Sequence, residues 1–182
     1  MKGKSELILD ELKRRKTGER IVEVEEDTVK MVIFSLLGGL YAFPGSEIKE
    51  ILTLVPMYYV PGSPDFIPGV INVRGDIESV IKINGFLGLT DSKPAPEGRI
   101  MIAVSGGVRS GIVVDSVEDV IDVPVSSLKP PLPTLSGAVR EYVAGELMYG
   151  DKSVTVLDVG KIFGKFGDNP VRRDDAPADP AV

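Results

Sequence analysis

Between residues 29 and 166 the chain consists of short apolar runs, rich in Val, Ile and Leu and bounded by Gly, Pro, Asp or Asn. Runs of this length with such boundaries are typical of β-strands and too short for core helices. Ten strands are predicted, over residues 29–37, 40–43, 56–60, 69–73, 77–83, 99–104, 111–114, 117–123, 143–149 and 153–157. The chain is therefore predicted to be mainly β.

Tight turns join several of these predicted strands. Gly38-Gly39 and Gly150-Asp151 lie between apolar runs, and because glycine reaches positive φ without steric cost, both predict hairpins in a largely antiparallel arrangement. Three segments are predicted to lie outside strands, namely residues 46–52, residues 83–87 and the connector 91–98. Ten strands exceed one small barrel but suit two five-stranded barrels, because closing each sheet removes the exposed edges that promote aggregation.

The two ends of the chain differ in composition from its centre. The first 20 residues carry seven Lys or Arg against four Asp or Glu, and residues 1–28 form a charged N-terminal arm. A short amphipathic helix is predicted over residues 5–16, with Ser5 as its candidate cap. Its apolar side chains are Leu7, Ile8, Leu9 and Leu12. This helix either docks loosely on the domain or binds a partner or a second copy. Residues 167–182, poor in apolar side chains, are predicted to be a disordered tail.

Composition excludes most catalytic chemistry. With no Cys and no His, the chain lacks thiolate nucleophiles, disulfides, cysteine-bound metals and the usual general base at neutral pH. A net charge of −6 opposes binding to nucleic acid through its phosphates. No apolar run approaches the ~20 residues that cross a bilayer, so we expect a cytoplasmic protein without membrane insertion.

Two patterns that suggest a ligand site have a simpler structural explanation. The glycines of residues 105–111 (SGGVRSG) lack the Lys-Ser or Lys-Thr of a phosphate loop and lie between two strands, which predicts a hairpin turn. Four acids lack the alternation and the glycine of a calcium loop and are predicted to form a solvent-facing strand surface: Asp115, Glu118, Asp119 and Asp122. No metal or cofactor site is predicted.

The most informative segment covers residues 60–89, where three prolines precede a predicted hairpin. Strand 70–73 leads to Arg74 and Gly75, and Ile77 begins the return strand, so Arg74 is predicted at the exposed tip. An arginine presented in this way either solubilises the turn or pairs with a carboxylate at an interface, for which its planar fork is suited.

Four segments, in their order along the chain, resemble the CheW-like chemotaxis coupling proteins over about residues 29–166. They are YAFPGSEIKEIL, IPGVINVRGDI, GIVVDSVEDVIDVP and the ending YVAGELMYGDKSVTVLDVGKIF. The resemblance implies two intertwined five-stranded SH3-like β-barrels with short helices, no catalysis and no cofactor. It also implies an adaptor that bridges the cytoplasmic tip of chemoreceptors to the regulatory domain of the histidine kinase CheA, at receptor arrays beneath the inner membrane.

Four residues match positions that this family uses in partner binding. Glu50 matches the glutamate of its V-x-E-I segment, and Arg74 matches the arginine of its N-L-R-G turn. Ile48 and Gly69 match neighbours on the receptor side. The resemblance implies that Ile48 supplies apolar contact, that Gly69 lets a partner helix approach the backbone, and that the two charged residues set orientation. We hypothesise that Glu50 and Arg74 pair with each other across the first barrel.

The chain departs from the family where P-V-x-D-L is usual, since Ser79 replaces the proline and Lys82 reverses the charge of the aspartate. Such a reversal on a contact face changes partner choice more than fold stability. Two other functions stay open. One is a divergent coupling protein of a pilus-motility or other non-flagellar chemosensory pathway, and the other is a small-ligand sensor or enzyme that uses the groove between the barrels. An enclosed pocket with converging polar groups would favour the ligand site, and an open apolar groove would favour the adaptor.

Overall fold

The computed structural model describes residues 26–167; the predicted helix over 5–16 lies outside this range, as does the predicted tail apart from Gly167, which ends a helix. The strands are β1 (Thr28–Leu36), β2 (Gly39–Pro44), β3 (Ile48–Thr53), β4 (Gly69–Val73), β5 (Asp76–Lys82), β6 (Arg99–Ser105), β7 (Val108–Val114), β8 (Ser116–Pro124), β9 (Val143–Tyr149) and β10 (Lys152–Leu157). The helices are α1 (Gly137–Arg140) and α2 (Val159–Gly167), with short 3-10 turns at Gly85–Leu87 and Val125–Ser127.

These strands form two five-stranded sheets, which confirms the mainly β fold with two barrel-like halves. The first sheet has the order β8-β1-β2-β10-β9, and the second has the order β3-β6-β7-β5-β4. Neighbouring strands run antiparallel except that β10 runs parallel to β2, and β5 runs parallel to β7. Because all five strands of the second sheet lie in the chain between β2 and β8, the second sheet is inserted into the first and the two are intertwined.

The inner strands β1, β6 and β7 are buried on both faces over most of their length, which explains why they are continuous apolar runs instead of alternating ones. Residues 31–34 of β1 and 100–103 of β6 are buried at every position. In each sheet some side chains enter an inner core of that sheet, and others enter a core that the two sheets share. Helix α2 completes the shared core, whose larger members include Val32, Phe34, Phe43, Ile81, Met101, Ile112, Ile162 and Phe163.

One isolated pair of residues joins the two edge strands of each sheet. The chain leaving β8 returns to the opposite edge, where Lys129 and Glu146 of β9 exchange two backbone hydrogen bonds of 2.8 Å. The chain leaving β3 does the same, and Tyr58 and Val70 of β4 exchange bonds of 2.8 and 2.9 Å. In the first sheet the approach requires glycine, because a Cβ on Gly145 would lie 2.5 Å from the Lys129 carbonyl oxygen.

Two strand predictions are wrong. Residues 46–52, predicted as an interruption, contain most of β3, whose side chains alternate between half-buried and exposed. Residues 56–60, predicted as a strand, contribute only the isolated pair at Tyr58. The prolines at and after this run lack the N–H donors that a ladder needs, and Tyr58 is 69% exposed, so the run lies on the surface.

The predicted tight turns are confirmed, although the first consists of Leu37 and Gly38, one residue before the predicted Gly38-Gly39. Gly38 and Gly150 have φ of 79° and 61° in the β1–β2 and β9–β10 hairpins. Gly106 and Gly107 have φ of 58° and 81° between β6 and β7. The glycine-rich segment is therefore a hairpin turn, as expected, and has no strand-to-helix geometry that would cradle a phosphate.

Short helices are expected with this fold, but the position of helix α2 is not among the predictions. It begins after Asp158, whose Oδ1 accepts a 2.9 Å hydrogen bond from the N–H of Lys161, the arrangement of an N-cap. Val159, Ile162 and Phe163 recur at helical spacing and are buried in the shared core. The helix thus seals one side of the contact between the two sheets.

Candidate functional site

The hairpin between β4 and β5 presents Arg74 at its tip, as predicted. Arg74 and Gly75 have φ of 54° and 101°, the positive values that a type I′ turn requires. The side-chain oxygen of Asn72 accepts a 2.8 Å hydrogen bond from the N–H of Gly75 and holds the turn closed. Because a residue other than glycine at positive φ costs about 1 kcal/mol or more, the turn alone does not explain an arginine here.

A β-bulge in β3 sends Ile48 and Glu50 to opposite faces of the second sheet. The register shifts between them, so that Ile48 pairs with Ala103 and Glu50 pairs with Ile102. Directly paired residues share a face, and Ala103 enters the shared core whereas Ile102 enters the inner core of the second sheet. Ile51, the next residue along β3, returns to the face of Ile48.

Glu50 and Arg74 form the ion pair predicted from the sequence. Arg74 Nη2 donates to Glu50 Oε1 at 2.6 Å. Both residues belong to the second sheet and its hairpin, so the expectation that the pair crosses the first barrel is wrong. The Glu50 side chain is 22% exposed and that of Arg74 is 82% exposed. A pair this exposed contributes only about 0.2–1 kcal/mol, so it orients the arginine more than it stabilises the fold.

An open groove of about 310 Å³ lies between the two sheets beside this pair and is called here the inter-sheet groove. Its lining residues are Lys30, Val32, Gly45, Ile48, Lys49, Glu50, Ile51 and Val120. Ile51 from the second sheet and Val120 from the first are 39% and 46% exposed. The sequence predictions omit Val120 and Val32, because these residues are distant in the chain and meet only through the pairing of β1 with β8.

Charged groups along the inter-sheet groove are bonded within the chain. Lys30 Nζ pairs with Asp122 Oδ1 at 2.9 Å, and Lys49 Nζ donates to a backbone carbonyl oxygen at 2.6 Å. Glu50 is held by Arg74. Because these charged groups are already bonded, the described residues of the groove offer a small ligand no set of free polar groups that point toward one place. The surface suits instead a partner segment with an apolar face.

Gly69 begins β4 and is buried. A Cβ at this position would collide with the carbonyl oxygen of Tyr58, in the pair that joins the edges of the second sheet. The close approach that requires glycine is therefore made by the chain itself. Contact between Gly69 and a partner helix stays a prediction.

The two departures from the family pattern have partners within the chain. The hydroxyl groups of Ser79 and Ser110 lie 2.9 Å apart. Lys82 Nζ donates to Asp91 Oδ1 at 2.9 Å, and this hydrogen bond, together with the lysine charge, lowers the pKa of Asp91 below its ordinary value. The reversed charge at Lys82 is thus matched by an acid of the same chain.

A second open pocket, of about 720 Å³, lies beside Lys82 and is partly lined by Tyr59, Phe66 and Phe86. Lys82 and Asp91 in its wall are bonded to each other. Among residues 26–167, no three Asp or Glu side chains come close enough together to hold a metal ion. None of the helices in this range has the length and apolar character needed to span a membrane.

Comparison with protein families finds a match to the CheW-like domain over residues 30–166. The chemotaxis protein CheW of Treponema pallidum is 26% identical over 144 residues, which cover 77% of this chain and 85% of that protein. The PilI protein of Pseudomonas aeruginosa is 29% identical over 112 residues, covering 62% and 63% respectively. The crystal structure of the scaffolding protein TtCheW from Thermoanaerobacter tengcongensis aligns with a TM-score of 0.69 and 30% identity, covering 75% of this chain and 93% of that one.

Proposed function

Because this chain belongs to the CheW-like family, we propose that it is a non-catalytic adaptor that couples chemoreceptors to the histidine kinase CheA. Its partners on this proposal are the cytoplasmic tip of a receptor and the regulatory domain of the kinase, and neither a cofactor nor nucleic acid takes part. The protein then works in the cytoplasm, at receptor arrays beneath the inner membrane. The name of its structural relative, a scaffolding protein, supports action by contact alone.

The observation that carries the proposal is the inter-sheet groove with the Glu50–Arg74 pair at its margin. An amphipathic helix presents its apolar side chains as one stripe. Ile48, Ile51 and Val120 offer an apolar surface to such a stripe. Glu50 and Arg74 beside it fix the direction of the bound helix through charge, since charges at an interface margin contribute more to specificity than to affinity.

Each interface of this adaptor is expected to be small. The groove is formed by single strands from each sheet, and contacts at or below about 1,200 Å² of buried area usually give weak, exchangeable association. Several such contacts in an array raise the overall strength of binding through effective concentration. Reversible single contacts within a firm array suit a signalling adaptor.

Titration calorimetry with a receptor-tip helical peptide, and separately with the CheA regulatory domain, tests the proposal. Val120→Glu places a charge in the inter-sheet groove and should weaken peptide binding by about tenfold or more, because burying an unpaired charge costs at least ~1.4 kcal/mol. Met148→Glu is the matched control. Met148 lies on β9, outside the groove, and is 54% exposed, so its substitution should leave peptide binding unchanged.

The outcomes separate the three candidate functions. No binding to either partner, tested with every receptor and kinase of the same organism, would contradict the adaptor proposal. Selective binding to the receptor and kinase of a pilus-motility system would keep the adaptor function and assign the other pathway. Turnover or tight binding of a small molecule, lost in Val120→Glu, would support the sensor or enzyme alternative.

A further inference from the structure

Strand β8 carries acidic charge that the described chain does not balance. Four acids lie on it or directly before it: Asp115, Glu118, Asp119 and Asp122. Within residues 26–167 only Asp122 has a basic ion-pair partner, which is Lys30. The strand is also an edge of the first sheet. It therefore presents an acidic margin next to Val120, which lines the inter-sheet groove.

The N-terminal arm meets the described structure at the end of this same strand. The Asp27 carbonyl oxygen accepts a 2.9 Å hydrogen bond from the N–H of Val125, and the Ser126 hydroxyl donates to the Glu26 carboxylate. Lys30, four residues after Glu26, already lines the groove. At about 3.3 Å per residue of strand, the arm joins the domain within ~15 Å of the groove.

The sequence of the arm complements both features. Residues 13–16 (KRRK) place four positive charges in succession. Before them come the apolar side chains at the spacing that predicts an amphipathic helix, Leu7, Ile8, Leu9 and Leu12. The basic cluster matches the acids of β8, and the apolar stripe matches Ile51 and Val120, which are exposed in the groove.

We propose that residues 5–16 fold back over β8 and occupy the inter-sheet groove, with their apolar side chains on Ile51 and Val120 and their basic cluster against β8. Such docking would make the arm an internal competitor of the receptor helix, an inference that rests on the proposed function. The linking residues 17–25 span up to about 30 Å when extended. A 12-residue helix is about 18 Å long, close to the ~20 Å length of β3, so the segment both reaches and fits.

Paired cysteines test the docking in the full chain, which has no Cys of its own. Leu9→Cys with Val120→Cys should form an intramolecular disulfide under mild oxidation, detected by peptide mass spectrometry. Leu9→Cys with Met148→Cys is the matched control, because Met148 is similarly exposed and lies outside the groove. The groove pair should react about tenfold faster, since docking raises the effective concentration of one thiol at the other. Equal rates, or disulfides only between two copies, would overturn the docking.

Charge reversal in the arm tests the competition. One variant combines Lys13→Glu, Arg14→Glu, Arg15→Glu and Lys16→Glu. If the arm is docked in about nine-tenths of the molecules, this variant should bind the receptor-tip peptide about tenfold more tightly, because apparent affinity scales with the fraction of molecules that can bind. A control that exchanges Lys and Arg at the same four positions keeps the charge and should bind like the parent chain. Unchanged affinity after charge reversal would overturn the competition.

These two measurements separate the inference from the proposed function. If the receptor-tip peptide binds neither the parent nor the charge-reversed chain, the proposed function fails, whereas the cysteine pairs still report on docking. If the disulfide does not form preferentially and peptide affinity is unchanged, the docking fails and the adaptor function stands. If the arm binds anionic lipid vesicles and the disulfide to the groove does not form preferentially, the arm belongs on a membrane surface and the docking is overturned.

Discussion

Replacing Arg74 with glycine should separate the stability of the fold from partner binding. Arg74 has φ of 54°, so removing its Cβ relieves about 1–2 kcal/mol of backbone strain. Two losses oppose this gain, because the flexibility of glycine in the unfolded chain costs about 0.5–1 kcal/mol and the pair with Glu50 contributes about 0.2–1 kcal/mol. The free energy of unfolding should therefore stay within about 1 kcal/mol of the parent value, a shift in Tm of at most ~4 °C.

Binding of the receptor-tip peptide should respond differently from stability. Loss of an exposed charged contact of up to ~1 kcal/mol should weaken binding about two- to fivefold in Arg74→Gly. Arg74→Ala is the matched control, because it removes the same guanidinium but keeps a Cβ at positive φ. It should bind as weakly as the glycine variant and be less stable than that variant by about 1 kcal/mol.

Thermal unfolding followed by circular dichroism gives the stability of each variant, and titration calorimetry gives its affinity for the peptide. A glycine variant that loses more than about 2 kcal/mol, or that binds like the parent, would refute this reasoning about Arg74, since the strain and ion-pair magnitudes allow neither result. Adding Glu50→Gln completes a double-mutant cycle. Strictly additive losses of peptide binding would show that Glu50 and Arg74 act independently, whereas coupling would support their joint role.

Three further predictions follow from buried or paired groups. Gly145→Ala should lower the free energy of unfolding by about 1–3 kcal/mol in urea denaturation, because the new Cβ crowds the backbone pair that joins the edges of the first sheet. Arg109→Met should lower the free energy of unfolding by about 1–3 kcal/mol, because it leaves the Glu78 carboxylate buried without its ion-pair partner. Adding Glu78→Met should recover stability. A double variant no more stable than the single variant would contradict this explanation. Lys82 lowers the pKa of Asp91 below 3.8, so their pair stabilises the fold above that pH and its contribution is lost as the pH falls through the lowered pKa. NMR titration of Lys82→Met should show the pKa of Asp91 returning toward 3.8, and an unchanged pKa would exclude Lys82 as the cause.

Local chemistry made one part of the site predictable from sequence. A strand, Arg74-Gly75 and a return strand define a tight hairpin, and the structure has it with both residues at positive φ. The pairing of Arg74 with Glu50 was also predictable, although from family resemblance and not from spacing. The sheet to which the pair belongs could not be predicted, since strand order depends on contacts between residues that are distant in the chain.

The rest of the site depends on features that no local pattern reports. The bulge after Ile48 sends Glu50 to the other face of the sheet, and only the pairing with β6 reveals it. Val120 joins the groove because β8 crosses back to pair with β1. The surface run at 56–60 has the composition of a strand, and its failure to form one follows from the prolines at and after it, which lack the N–H donors of a ladder.

The insertion of one sheet into the other sets the order in which the two can form on the ribosome. Strands β3 to β7 are all synthesised within residues 48–114. In contrast, β1 can pair with β8, and β2 with β10, only after those later strands have been synthesised. At about 5–20 residues per second of translation, the β1–β2 hairpin stays without its other neighbours for several seconds. A nascent chain cut short before β10 has every strand of the inserted sheet but lacks the strand that ties β2 to β9.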